Sequence, residues 1–106
     1  MKVTWSTQAA EALRDTTSYV RREFGIIAKQ KLLTEVREVI GLLPSNPYIG
    51  KIEPLLQNAS VVYRSFVINK LNKIVYYVNE ETDTIEIAAL WDTRREPNSQ
   101  AHLLKS

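Results

Sequence analysis

Residues 61–91 read VVYRSFVINKLNKIVYYVNEETDTIEIAALW, and this stretch decides the fold. It contains three runs rich in β-branched and aromatic residues, a composition typical of strands. Short polar turns separate these runs, and turns of this length join neighbouring antiparallel strands. The sequence therefore predicts a three-stranded antiparallel meander with strands at 61–68, 73–78 and 84–91.

The residues before the meander predict a leading strand and a first helix. Lys2-Val3-Thr4-Trp5 alternates polar and apolar side chains, as a half-buried strand does. Ser6 and Thr7 are residue types that favour the N-cap of a helix. The spacing after them places one stripe of side chains on a single helix face: Ala9, Leu13, Thr17, Val20 and Phe24.

A second helix is predicted from about Ile26, because Gly25 interrupts the first helical pattern. Its apolar stripe consists of Leu33, Val36, Ile40 and Leu43. Pro44 and Pro47 end this helix, and we expect residues 48–58 to form irregular surface chain. The whole chain, residues 1–106, is thus predicted to be one α+β domain: an N-terminal strand, a two-helix antiparallel hairpin, and a three-stranded antiparallel meander packed on the helices. Residues 98–106 are expected to be a flexible tail.

The composition excludes several classes of protein. The 106 residues suit one domain and leave little room for a second. There is no cysteine and a single histidine, His102, so neither a disulfide framework, a thiolate metal site nor a multi-histidine cluster is expected. The N-terminal residues carry no apolar run of the signal-peptide kind, and no apolar stretch is long enough to span a membrane. We therefore expect a soluble cytoplasmic protein without a metal, a cofactor or a membrane segment.

The positive charge of the chain is unevenly distributed. The net charge is only +2, but residues 61–79 contain Arg64, Lys70 and Lys73 and no acid. Such a segment suits contact with phosphates, and it equally suits an ordinary solvated sheet face. Charge alone leaves both interpretations open.

Three of the cations are candidates for one phosphate-binding surface. Strand periodicity puts Lys73 on the same face as Tyr77, and the apolar character of the alternate positions predicts that this face reaches solvent. Arg64, Lys73 and Arg94 are expected to converge there on a concave surface of the twisted sheet and to bind or stabilise phosphate charge. The alternative is that each is a separate surface cation.

Further candidates lie beside these three. Arg95 follows Arg94 directly, and paired guanidinium donors suit phosphate. Tyr77 is the aromatic residue that we expect to stack on a base, whereas Tyr76 and Trp91 are expected to be core residues.

The order of these segments resembles the RelE/ParE toxin superfamily. The resemblance rests on residues 62–66, 72–78 and 85–95, and on Pro47-x-x-Gly50 in the loop after the second helix. It implies the toxin of a bacterial type II toxin–antitoxin pair, inhibited by a small antitoxin protein that wraps it. Two activities occur in that superfamily: one branch cuts messenger RNA in the ribosomal A site, and the other poisons DNA gyrase without nuclease chemistry.

The nuclease branch, as the resemblance implies, uses basic residues at the positions of Arg64, Lys73 and Arg94. It often has a second basic residue where this chain has Phe66, and a closing tyrosine or histidine near the position of Gln100. His102 is the nearest candidate for that acid–base role, which cleavage by a neighbouring 2′-hydroxyl requires. Because the acid–base set is weak, we expect a toxin that inhibits DNA gyrase. The alternatives are a ribosome-dependent mRNA endonuclease and an interaction domain without toxicity.

Overall fold

The computed structural model describes residues 1–94, which form five strands, two helices and a short 3₁₀ turn. In chain order the elements are β1 Lys2–Trp5, α1 Thr7–Phe24, α2 Ile26–Leu42, β2 Lys51–Ile52, the 3₁₀ turn Pro54–Leu56, β3 Tyr63–Ile68, β4 Asn72–Asn79 and β5 Thr84–Asp92. The predicted α+β class, with its leading strand, helix pair and closing meander, is confirmed.

All five strands belong to one sheet, in the order β1-β5-β4-β3-β2. β3, β4 and β5 form the predicted antiparallel meander, and β1 pairs in parallel with β5. β2 is a two-residue strand that pairs with β3, inside the segment that the sequence predicted to be irregular. Two residues are too few to give a period-two signal, so the pattern of side chains did not reveal this strand.

The helices cover one face of the sheet, called here the helix face. Ser6 caps α1, since its hydroxyl accepts a hydrogen bond of 3.0 Å from the amide of Ala9. Gly25 separates the helices with a φ of 92°, a conformation that side-chain-bearing residues rarely adopt. The core against this face contains Ala9, Leu32, Val36, Leu43, Ile68, Ile74, Tyr76, Ile85, Ile87 and Leu90.

Two details of the predicted stripes are wrong. Phe24 was assigned to the buried face of α1 but is 63% exposed, because it lies at the last turn of α1, at the end of the hairpin. In α2 the fully buried side chain is that of Leu32, whereas Leu33 is only half-buried. The two leucines are adjacent, and a periodicity argument does not distinguish them without knowing how the helix is rotated against the sheet.

A β-bulge changes the side-chain alternation of β5. Val75 pairs with Ala89, but the next residue, Tyr76, pairs with Ile87, so Ala88 is an extra residue on β5. As a result Ile87 and Leu90 both reach the helix-face core although they are three positions apart.

The opposite face of the sheet is partly covered by residues 53–59, called here the strap. Leu56 of the strap packs with Val75, Ala89 and Trp91 in a second buried cluster. The expectation that residues 48–58 are surface chain is therefore wrong for Glu53 and Leu56, which are 1% and 2% exposed. Within residues 1–94 no helix is both long and apolar enough to cross a bilayer.

Candidate functional site

Arg64 lies on the helix face near the start of β3, where it fastens the loop that follows α2. Its register partner Tyr76 belongs to the helix-face core, which fixes the face. One guanidinium nitrogen, Nη1, donates to the carbonyl oxygens of Gly50 at 2.9 Å and Tyr48 at 3.3 Å. The guanidinium carbon also lies 5.2 Å from the centre of the Tyr48 ring. Arg64 is thus held by backbone oxygens and an aromatic face.

Tyr76 completes this fastening from inside the core. Its hydroxyl donates to the carbonyl of Pro47 and accepts from the amide of Gly50, both at 2.9 Å. Burial raises the pKa of Tyr76, so its phenol keeps the proton that it donates. The tyrosine and the arginine together hold residues 47–50 against the sheet. The Tyr48 hydroxyl in turn donates to the carboxylate of Glu80.

Lys73 lies on the other face, under the strap. It pairs across the ladders with Val67 and Trp91, whereas its neighbour Ile74 faces the helices. Its ammonium group contacts both carboxylate oxygens of Glu53, the second at 3.0 Å, and lies 5.4 Å from the centre of the Trp91 ring. The expectation that Lys73 points freely into solvent is wrong, because the strap folds back and places a carboxylate over it.

Arg94 lies at the far end of the helix face from Arg64. Its guanidinium donates to both oxygens of Asp92, from Nε and Nη2 at 3.1 Å each, and its amide donates to Asp92 at 2.8 Å. These hydrogen bonds raise the pKa of Arg94. The pair borders a cleft of about 510 Å³ between α1 and the β3–β4 turn.

The convergence of Arg64, Lys73 and Arg94 on one surface is therefore wrong. Arg64 and Lys73 occupy opposite faces of the sheet, since residue 64 shares its face with Tyr76 and residue 73 shares its face with Trp91. Arg64 and Arg94 lie at opposite ends of the meander, beside Val78 and Leu71 respectively. Each of the three cations already has an oxygen partner within the chain.

The aromatic candidates differ in how deeply they are buried. Tyr76 and Trp91 are core residues, as predicted, although Trp91 belongs to the second cluster and not to the core under the helices. Tyr77 is half-buried and its ring meets that of Tyr63 edge-on, with centres 5.6 Å apart. Its assignment as a base-stacking residue stays a prediction. Arg95, His102 and the tail 98–106 lie outside the described residues.

Sequence reasoning missed the residues that pair with Lys73 and Arg64. Glu53 and Tyr48 lie in the connection between α2 and β3, which carries no periodic pattern. The only signal there was Pro47-x-x-Gly50. A Cβ atom built on Gly50 would lie 2.8 Å from the Tyr76 hydroxyl, so this glycine is required by a close approach. Within residues 1–94 no three His, Cys, Asp or Glu side chains are grouped as a metal site would need.

Comparison with known proteins gives one family. The sequence model described as the ParE toxin of the type II toxin–antitoxin system parDE matches residues 3–97. No curated protein sequence matches the chain at a significant level.

Several solved structures share the fold. One is the chromosomal ParDE toxin–antitoxin system of P. aeruginosa, with a TM-score of 0.68 and 16% identity over 87% of this chain and 95% of that one. A YoeB/ParE toxin from Agrobacterium tumefaciens has a TM-score of 0.59 and 20% identity, over 87% of this chain and 98% of that one. The intact E. coli RelBE toxin–antitoxin complex has a TM-score of 0.55 and 13% identity, over 89% of this chain and 98% of that one. At these identities the likeness concerns the fold alone.

Proposed function

The chain belongs to the ParE toxin family of type II toxin–antitoxin systems, and from that premise we propose that it arrests growth by inhibiting DNA gyrase, not by cutting messenger RNA. A small antitoxin protein is the partner that neutralises it. The site of action is the cytoplasm, where gyrase and its DNA substrate are found.

The observation that carries this proposal is the separation of Arg64 from Lys73. Cleavage of RNA by a neighbouring 2′-hydroxyl needs groups that transfer protons and cations that meet around one phosphate. Arg64 and Lys73 face opposite sides of the sheet, and a buried carboxylate, Glu53, already neutralises Lys73. In the part of the chain that the structure describes, no single surface gathers these three cations around one phosphate.

The surface between α1 and the β3–β4 turn is better suited to a protein than to a phosphate. The cleft there is bordered by Tyr19, Phe24 and Leu71, each of which is exposed. The cleft's arginine, Arg94, is paired through Nε and Nη2 with Asp92, whose carboxylate offsets its positive charge. Exposed apolar side chains around a concave surface are typical of protein–protein contacts.

The experiment is a supercoiling assay with purified DNA gyrase and relaxed plasmid. We expect the full chain to block supercoiling, and we expect induced expression in cells to stop DNA synthesis before RNA and protein synthesis, measured by the uptake of labelled precursors. The matched variant is Glu53→Leu combined with Lys73→Met, which removes both charges of the pair and should leave both effects as in the wild type. Normal supercoiling together with transcripts cleaved in arrested cells would support the nuclease instead, and harmless expression would support an interaction domain without toxicity.

A further inference from the structure

The two edges of the sheet differ in how well they are protected against further strand pairing. At the β2 edge, the hydrogen bond from the amide of Glu53 to the carbonyl of Tyr63 puts the backbone groups of Ile52 on the outer side. The next outward position is Pro54, which has no amide hydrogen. The strand is two residues long and carries Lys51. A short strand, a proline and a lysine are the usual ways to blunt an edge.

The β1 edge is less well protected, although it too carries a lysine, Lys2. β1 is four residues long and contains no proline, and within the described part of the chain its one partner strand is β5. The amides of Lys2 and Ser6 donate inward, to the carbonyls of Asp83 and Ile87. Since backbone groups alternate in direction along a strand, those of Val3 and Trp5 point away from the sheet. Because no strand of residues 1–94 lies on that side of β1, these outward groups have no strand partner there.

The side chains of β1 alternate between the two faces of the sheet. Val3 and Trp5 pair with Ile85 and Ile87, so they lie on the helix face, where they are only half-buried against the core. On the other face, the Thr4 hydroxyl donates to the carboxylate of Glu86 at 2.7 Å. A strand that adds here should therefore place apolar side chains toward the helices and polar ones on the opposite side.

We propose that the occupant of this edge is β1 of a second copy of the chain, antiparallel to the first across a two-fold axis at Thr4. In that register Val3 of one copy lies opposite Trp5 of the other, both on the helix face. The outward groups of Val3 and Trp5 then form four backbone hydrogen bonds, two per residue pair. Lys2 lies opposite Ser6, so no like charges meet. The two sheets become one of ten strands.

The pattern favours a second copy because the edge is complementary to itself. The residues with outward backbone groups are placed symmetrically about Thr4, and their side chains share one face. A two-fold interface brings the same patch of both copies into contact, and this symmetry allows β1 to pair with itself. The proposal does not depend on the identity of the toxin's target.

Disulfide trapping tests the register, and the chain offers a clean background because it contains no cysteine. In a non-hydrogen-bonded antiparallel pair the Cα atoms lie about 4.5 Å apart, a separation that a disulfide spans. With oxidised glutathione as the oxidant, we expect Thr4→Cys to form a cross-linked dimer. Lys2→Cys is the control, since its two copies would lie roughly 13 Å apart along the strands. Equal cross-linking of both variants, or of neither, would overturn the register.

The second measurement is the mass of the full chain in solution as its concentration rises. We expect light scattering to show a change from one chain, 12.2 kDa, toward two chains. Val3→Pro should abolish this change, because it removes an outward amide and no bond to β5. Ile52→Pro, which removes the outward amide of the other edge, should leave it intact. A chain that stays monomeric up to about 1 mM and gives no Thr4→Cys dimer would overturn the proposal.

Discussion

The face of the sheet under α1 and α2 is buried by aliphatic side chains, whereas the opposite face is covered by the strap, which brings a carboxylate with it. Under the helices, Ile74, Ile85 and Ile87 are fully buried among apolar neighbours. Under the strap, Val75 and Trp91 are buried beside the Glu53–Lys73 ion pair. The first face is stabilised by apolar burial, and the second also requires that two charges stay matched.

This difference explains why a lysine in the middle of the meander does not form a binding surface. Seen along the strand, Lys73 alternates with core residues and should reach solvent. Instead, the connection from α2 to β3 returns over it, and Glu53 neutralises it at 1% exposure. The indole nitrogen of Trp91 is also buried there, and among residues 1–94 it has no hydrogen-bond partner, so this face satisfies its polar atoms less completely than the helix face.

The largest expected effect comes from adjacent residues that point to the two faces. Ile74 and Val75 are neighbours on β4, and both are fully buried. We expect Ile74→Ala to lower the free energy of unfolding by about 4 kcal/mol, through lost transfer energy and the cavity left behind. Val75→Ala removes fewer atoms, beneath the strap, and should lower the free energy of unfolding by about 2 kcal/mol. Urea denaturation measures both, and a larger loss for Val75→Ala would reverse the ranking of the faces.

The second prediction concerns the charge pair that distinguishes the strap-covered face. Lys73→Met leaves the Glu53 carboxylate buried without its partner, and we expect it to lower the free energy of unfolding by about 3 kcal/mol. The double variant Glu53→Leu with Lys73→Met removes both charges and should regain most of that stability. A double-mutant cycle in urea isolates the coupling. If the single and double variants are equally unstable, matching of the two charges does not contribute to the stability of this face.

The smallest effect tests how the loop at residues 47–50 is attached to the helix face. A methyl group on Gly50 would lie 2.8 Å from the Tyr76 hydroxyl and 3.0 Å from the Ser65 carbonyl, so Gly50→Ala should lower the free energy of unfolding. We expect about 2 kcal/mol, the usual size for overpacking. Gly41→Ala is the matched control, because no atom of residues 1–94 other than its chain neighbours and the backbone of α2 lies within 4 Å of its added Cβ atom. α2 should gain stability slightly. Thermal denaturation compares the two, and similar shifts in Tm would remove the close contact as a cause.

The elements were predictable from sequence because each depends on neighbours in the chain. The strand runs of the meander, the Ser6 cap and the Gly25 break follow from local propensity and periodicity. The burial of Tyr76 was likewise predicted, since its alternate neighbours on β4 are apolar. In contrast, β2 and the strap have no periodic pattern, and their positions follow from what they pack against.

The sequence by itself determined the class of fold, the order of its elements and the family likeness, because these depend on residue types and their spacing along the chain. Only the tertiary structure decided which cations have partners. Arg64 and Lys73 are nine residues apart on adjacent strands, and their faces follow from the pairing of β3 with β4. Their oxygen partners, Gly50 and Glu53, come from a loop whose path is set by long-range packing.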